Sequence, residues 1–173
     1  MLIQANWHTS YTQWMDSMTD IAGLFALEYI KTVGIINNGD NGRGFTQPVC
    51  LTVGSDGRIF VLNRADPVNS QAVRVGVCSF DEEYLGEFGC GFGQDDGQFM
   101  LPTSMAFDNR DRLYVTDEYL NRVTVFNSSG DFLHKWGTSG NGCGQFNGPS
   151  GIAFDSEDVA YVVDQHNNRI GKF

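Results

Sequence analysis

Short runs in which apolar and polar residues alternate recur through most of this chain, each closed by a cluster of Gly, Asn, Asp or Ser. Leu113 and Val115 alternate with polar or smaller neighbours, as do Val123 and Val125. A period of two gives a strand one apolar face, so these runs predict β-strands rather than helices. The stretch from Thr103 resolves into four of them: strand a at Thr103 to Phe107, b at Arg112 to Thr116, c at Asn121 to Phe126 and d at Asp131 to Gly137. Asp108-Asn109-Arg110-Asp111 separates a from b, and Asn127-Ser128-Ser129-Gly130 separates c from d; both have turn chemistry.

The same four-strand pattern returns at a fixed distance. Gly97-Gln98-Phe99, Pro102, Phe107-Asp108, Asp117 and Asn121-Arg122 reappear 47 residues later as Gly144-Gln145-Phe146, Pro149, Phe154-Asp155, Asp164 and Asn168-Arg169. A weaker copy lies upstream, with a at Val49 to Val53, b at Arg58 to Leu62, c at Val73 to Cys78 and d at Glu83 to Gly89. Its offset from the second copy is 54 before the b–c loop and 48 after it, so six extra residues fall within Arg64 to Gln71. The third copy supplies a, b and c up to Phe173, while Glu28-Tyr29-Ile30-Lys31-Thr32-Val33-Gly34 matches the d strands Glu83 to Gly89 and Asp131 to Gly137. The order is therefore d-abcd-abcd-abc. Four antiparallel strands recurring at this period describe the blades of an all-β propeller, and no repeat holds a helix-length segment with a 3.6 period.

Three blades do not close a ring, since propellers need about four to eight. Two readings follow. Two copies related by a two-fold axis would make a six-bladed ring, each N-terminal d strand completing the partner's third blade. Alternatively, the chain is a fragment of a longer single-chain propeller. Residues 1 to 23 stand outside the repeat: Trp7, Tyr11, Trp14, Met15, Met18 and Ile21 recur at helical spacing, Ser10 with Gln13 resembles a capping box, and Gly23 offers a stop. The organisation expected is a non-repeat segment over 1–23 and a three-blade half-propeller over 24–173.

The residues Gly-Gln-Phe, Pro-Ser-Gly-Ile-Ala-Phe-Asp, Tyr-Val-Val-Asp and Asn-Asn-Arg-Ile between 144 and 170 resemble the NHL repeat. The second copy matches nearly as well, whereas the first departs at Val49-Cys50-Leu51, at Asn63 in place of Asp, and in its longer b–c loop. The resemblance implies a β-propeller, usually six-bladed, but no single function, because NHL repeats occur in interaction scaffolds, RNA-binding ubiquitin ligases, sensor kinases and a zinc-dependent amidating lyase. In that lyase, zinc-binding histidines follow the strand-a proline. Here Val49, Thr103 and Ser150 stand at those positions, which removes the main reason to infer its activity.

Charge narrows the partners. A formal net charge of −10 disfavours nucleic acid and anionic membrane surfaces, which reward Lys and Arg. Neither a secretory signal nor a membrane-spanning window is present, and Cys50, Cys78, Cys90 and Cys143 show no CxxC spacing, so a reduced cytoplasmic protein is expected. His8, His134 and His166 fall on unrelated parts of the repeat, so no metal site, cofactor or catalytic residue is expected. Asp117 with Arg122, and Asp164 with Arg169, recur in register and read as hairpin braces. Tyr84, Phe88, Phe132 and Trp136 on the d strands read as packing between blades.

The remaining candidate is a surface. In a propeller, the d–a and b–c loops share one face, and loops on a rigid scaffold carry binding. That face would gather Arg64, Asp66, Asp95, Asp96, Glu118, Tyr119, Gln165 and His166. The function expected is non-enzymatic binding of a protein or small ligand of basic character. The alternative is a propeller enzyme of lyase or lactone-hydrolase type with a metal at the central channel.

Overall fold

The computed structural model describes residues 28–34, 44–64 and 72–173. The predicted helix over 1–23 lies outside these residues. The chain divides into two compact units, Met1–Thr32 and Val33–Phe173. In the first, the described residues show Tyr29 Oη and Thr32 Oγ1 2.9 Å apart. Residues 28–34 carry no strand.

The second unit holds the repeat. Its first sheet is β1 (Pro48–Val53), β2 (Ile59–Asn63), β3 (Arg74–Cys78) and β4 (Tyr84–Phe88), hydrogen-bonded in that order. The second sheet is β5 (Pro102–Phe107), β6 (Leu113–Asp117), β7 (Arg122–Phe126) and β8 (Phe132–Trp136). A short parallel pair, β9 (Thr138–Ser139) with β10 (Gln145–Phe146), ties the next connection. The third sheet is β11 (Pro149–Phe154), β12 (Ala160–Asp164) and β13 (Arg169–Lys172), three-stranded among the described residues. All three sheets are antiparallel throughout, and each strand starts or stops within about two residues of the span its alternation predicts.

Each first strand opens on proline and then slips register, between Pro48 and Cys50, Pro102 and Ser104, and Pro149 and Ile152. Proline lacks the N–H a central ladder needs, so the bulge follows from the residue that begins the strand. It leaves proline opposite the last residue of the second strand: Asn63, Asp117 or Asp164.

The core lies between the sheets. Phe60, Leu62, Val75 and Val77 of the first sheet pack with Met105, Leu113, Val115 and Phe126 of the second. Tyr114, Val123 and Val125 of the second sheet pack with Ile152 and Val162 of the third. Rings cross each joint: Phe60 and Phe107 centroids are 4.9 Å apart, Phe88 and Phe126 5.1 Å, and Tyr114 and Phe154 4.7 Å. Phe88 and Trp136 thus pack towards the next blade as the sequence suggests, while the Phe132 ring meets Phe126 of its own sheet and Tyr84 stays exposed. Gly89 and Gly137, ending β4 and β8, have φ of +66° and +95° and leave no room for a Cβ beside the rings of Phe99 and Phe146. Those fully enclosed rings anchor the connections into the next sheet.

Candidate functional site

The repeated acid–arginine positions build the scaffold of the loop face. Arg169 donates from Nη1 to the carbonyl of Asn141 at 2.6 Å and from Nη2 to Gly142 at 3.0 Å and Gln145 at 2.8 Å. Arg122 does the same to the equivalent carbonyls of Gln94, Asp95 and Gln98 at 2.8, 3.0 and 2.9 Å. Arg74 reaches Gly44, the counterpart of Gln98, at 3.4 Å. Each arginine therefore holds the connection that leads into its own sheet. The residue ending the second strand holds the same connection from the other side. Asp164 accepts from the Asn147 N–H at 2.7 Å, Asp117 from Met100 at 2.7 Å, and Asn63 from Thr46 at 2.9 Å.

The brace differs among the three blades. Asp164 pairs directly with Arg169 Nε at 2.8 Å. Asp117 is filled by the backbone N–H groups of Met100, Leu101, Tyr119 and Leu120, and the buried Arg122 Nε finds no acceptor. The expected Asp117–Arg122 bond is thus absent: the aspartate holds backbone N–H groups, and the arginine keeps only the carbonyl clamp it shares with Arg169. Burial lowers the Arg122 pKa, against the charges of Asp117, Asp96 and Asp95. In the first blade Asn63 carries no charge, and Arg74 meets Glu87 on β4 instead, with Nε 2.9 Å from Oε2. That approach is close but poorly aligned for a hydrogen bond, so it is an ion pair by proximity.

Immediately after each second strand, one residue is fixed by a backbone bond to the residue before the strand-a proline. Arg64 donates to Gln47 at 3.2 Å, Glu118 to Leu101 at 3.0 Å, and Gln165 to Gly148 at 3.2 Å. The three blades therefore present Arg64, Glu118 and Gln165 at equivalent places. Two side chains from the flanking blades approach Glu118: Arg64 Nη2 lies 3.6 Å from its Oε2, and His166, the residue after Gln165, places Nε2 3.8 Å from its Oε1. A guanidinium and an imidazole from the two flanking blades thus face one carboxylate, each separated by slightly more than a direct hydrogen bond. All three side chains remain partly open to solvent. Gly148 packs against the His166 ring, and the His166 N–H donates to Asn147 O at 2.9 Å, which sets the ring beside Glu118.

The other candidates disperse. Tyr119 and Gln165 are exposed on the same loops. Asp96 pairs with Lys135 of β8 at 2.8 Å, on the outer strand, while Asp95 offers its carbonyl to Arg122. Asp66 lies outside the described residues. Sequence reasoning missed the role of Asn121, although it noticed the Asn-Arg motif. Asn121 sits at φ +53°, and its Oδ1 accepts the N–H of Gly148 from the next blade at 2.9 Å. Recurrence of asparagine at a turn is the signal that pointed there.

Among the described residues, no group of three or more His, Cys, Asp or Glu is placed to hold a metal ion. Nor is any helix among them long and apolar enough to cross a membrane. Cys90 and Cys143 are free and exposed.

A family model described as a six-bladed β-propeller matches residues 94–173. No curated protein sequence matches the chain. Among solved structures, a catalytically inactive virginiamycin B lyase from Staphylococcus aureus with quinupristin is similar at 14% identity and TM-score 0.56, over 80% of this chain and 40% of that one. A gluconolactonase from Xanthomonas campestris is similar at 17% identity and TM-score 0.50, over 70% and 36%. A protein of unknown function from Desulfotomaculum acetoxidans is similar at 15% identity and TM-score 0.54, over 76% and 39%. The chain thus spans two-fifths or less of the length of these structures. At such identities the likeness shows the fold: an all-β propeller.

Proposed function

We propose that this chain is a non-enzymatic, NHL-type propeller module that binds a protein segment or small ligand of basic character through its loop face. Glu118 carries the reading. It is set by backbone bonds at the same place as its repeat equivalents, and it draws Arg64 and His166 from both neighbouring blades. A carboxylate held between two loosely approaching donors can exchange them for a ligand guanidinium or ammonium without rebuilding the scaffold. The net charge of −10 favours approach of a cationic partner. Free thiols at all four cysteines fit a reducing, cytoplasmic setting.

The test is selection from a phage-displayed random peptide library, followed by calorimetry with the selected peptide. Peptides rich in Arg and Lys are expected, with affinity falling about tenfold or more when Asp66→Asn and Glu118→Gln are combined. Selection of acidic or charge-free peptides, or binding indifferent to the double substitution, would overturn the assignment.

A further inference from the structure

The two ends of the three-blade arc expose positions that the same repeat buries elsewhere. Ile170 of β13 is 67% exposed, whereas its equivalents Val123 and Val75 are 0% exposed. Val163 of β12 is exposed beside it, paired across the strands, while Thr116 and Leu62 at the same position are wholly enclosed. At the other end, Leu51 of β1 is 65% exposed against 3% for Met105 and 8% for Ile152. Val49 and Val53 extend that open strand. One apolar face awaits a blade after the third, and the other awaits a blade before the first.

The segment ending at Gly34 points to the same arrangement. Gly34 has φ +123° and lies against the ring of Phe45 as Gly89 and Gly137 lie against Phe99 and Phe146. Val33-Gly34 therefore lies where the outer strand of a blade before the first would end. That blade's other three strands are not supplied by the segment, and β13 has no fourth strand beside it among the described residues. One surplus and one deficit, of the same strand type, fall on the two faces that lack a neighbour.

We propose that a second copy of this chain closes the ring: the β11–β13 face of each protomer packs on the β1 face of the other, and the segment ending at Gly34 adds as the fourth strand beside the partner's β13. This deepens the propeller-module reading above and rests on it, with the blade number taken from the six-bladed family model that matches residues 94–173. A two-fold axis makes both closing joints identical, and burying Ile170, Val163 and Leu51 supplies the driving force. Asn168, at φ +51° like Asn121, is ready to accept the backbone N–H of the partner's Gln47, the counterpart of Gly148.

The closing joints differ from the internal ones. Inside the chain, Cys50 Sγ and Ser104 Oγ accept the N–H of Met105 at 3.4 Å and Ile152 at 3.4 Å on the next blade; the equivalent residue of the third blade is Gly151. On the opposite face, Ser55 donates to Asp111 at 2.8 Å, and Asn109 to Asp158 at 2.8 Å; the first blade has Gly57 where those aspartates stand. Both polar staples are thus absent from the closing joint. It keeps the asparagine contact but otherwise leans on apolar burial, so the ring parts there before it parts within a chain.

Sedimentation or light scattering of the 173-residue chain at micromolar concentration should give twice the 19.1 kDa mass of one chain. Ile170→Asp and Leu51→Asp each change an exposed side chain, so each should leave the circular dichroism intact and give monomers. Mixing the two variants should restore a dimer, because one of its two joints then joins two unaltered faces. A folded wild-type monomer, as a fragment of a longer propeller would give, overturns the proposal; so do open polymers, or variants that stay dimeric. Peptide binding by such a monomer would remove ring closure and leave the loop-face reading, whereas a dimer whose binding ignores Glu118 would do the reverse.

Discussion

Arg74 is fully buried with its Nε 2.9 Å from the Glu87 carboxylate, and Asn63 stands where the other two blades carry aspartate. The charge that the first blade lost at the end of its second strand returns on its fourth. Glu87→Ala should therefore leave a buried guanidinium uncompensated and lower stability by about 3–5 kcal/mol in urea unfolding. Adding Asn63→Asp to that variant should recover part of the loss, because a carboxylate there can meet the arginine Nε directly, as Asp164 does and Asp117 does not. No recovery would mean that the two carboxylates are not interchangeable.

Acid should weaken the fold through the same kind of group. Burial works to raise the Asp164 pKa, but the Asn147 N–H, the Asn167 amide and Arg169 outweigh it, and the net shift is downward. Asp108 behaves alike: burial works to raise its pKa, but the N–H groups of Arg112 and Arg110 with the Arg112 side chain outweigh it. A carboxylate depressed on folding contributes its full stabilisation above its unfolded value of about 3.9 and loses it as pH falls through the folded value. The urea midpoint should hold steady from neutral pH to about 5 and drop below about 4, with a shallower drop in Asp164→Asn.

Gly148 couples backbone strain to the site. Its φ is +70°, and a Cβ there would strike the His166 ring. Gly148→Ala should cost about 1–2 kcal/mol and move the His166 ring resonances, as read by NMR. Gly57→Ala, at φ +82° with nothing within 4 Å of the new Cβ, should cost only the backbone part, about 1 kcal/mol, and leave His166 unmoved.

Thiol labelling gives an independent check on the connections between blades. Cys90 and Cys143 are exposed and should react in the native protein, whereas Cys78 is buried, which raises its pKa, and should react only on unfolding. Cys90 is open to solvent on one side only: desolvation by the protein around it, and then the Glu87 charge, push the thiol pKa up, so its rate should climb steeply with pH. Native-state labelling of Cys78 would contradict the packing of β3.

Much of the fold was legible because alternation and turn chemistry are local. Leu113 to Thr116 reads as a strand from its own residues, and the 47-residue recurrence fixes how many such strands belong together. The site was legible only in part. That Arg64, Glu118 and His166 share a face followed from topology, but their meeting on one carboxylate depends on the register slip after each proline, which no spacing announces. Asp95 and Asp96 share that face by topology too, yet Lys135 on an outer strand takes one of them, a contact set by side-chain reach. Glu87 was invisible as a partner for Arg74, because its role depends on an asparagine two strands away.

In the connections they hold, the arginine clamps grip main-chain oxygens: those of Gln94, Asp95 and Gln98 in one, and of Asn141, Gly142 and Gln145 in the next. Such a grip is blind to the side chains it holds, and an aspartate in one connection is already a glycine in the other. Evolution, or a designer, can therefore rewrite the outward chemistry of these loops residue by residue while their course stays fixed. The same frame can carry a different outward surface without first being refolded.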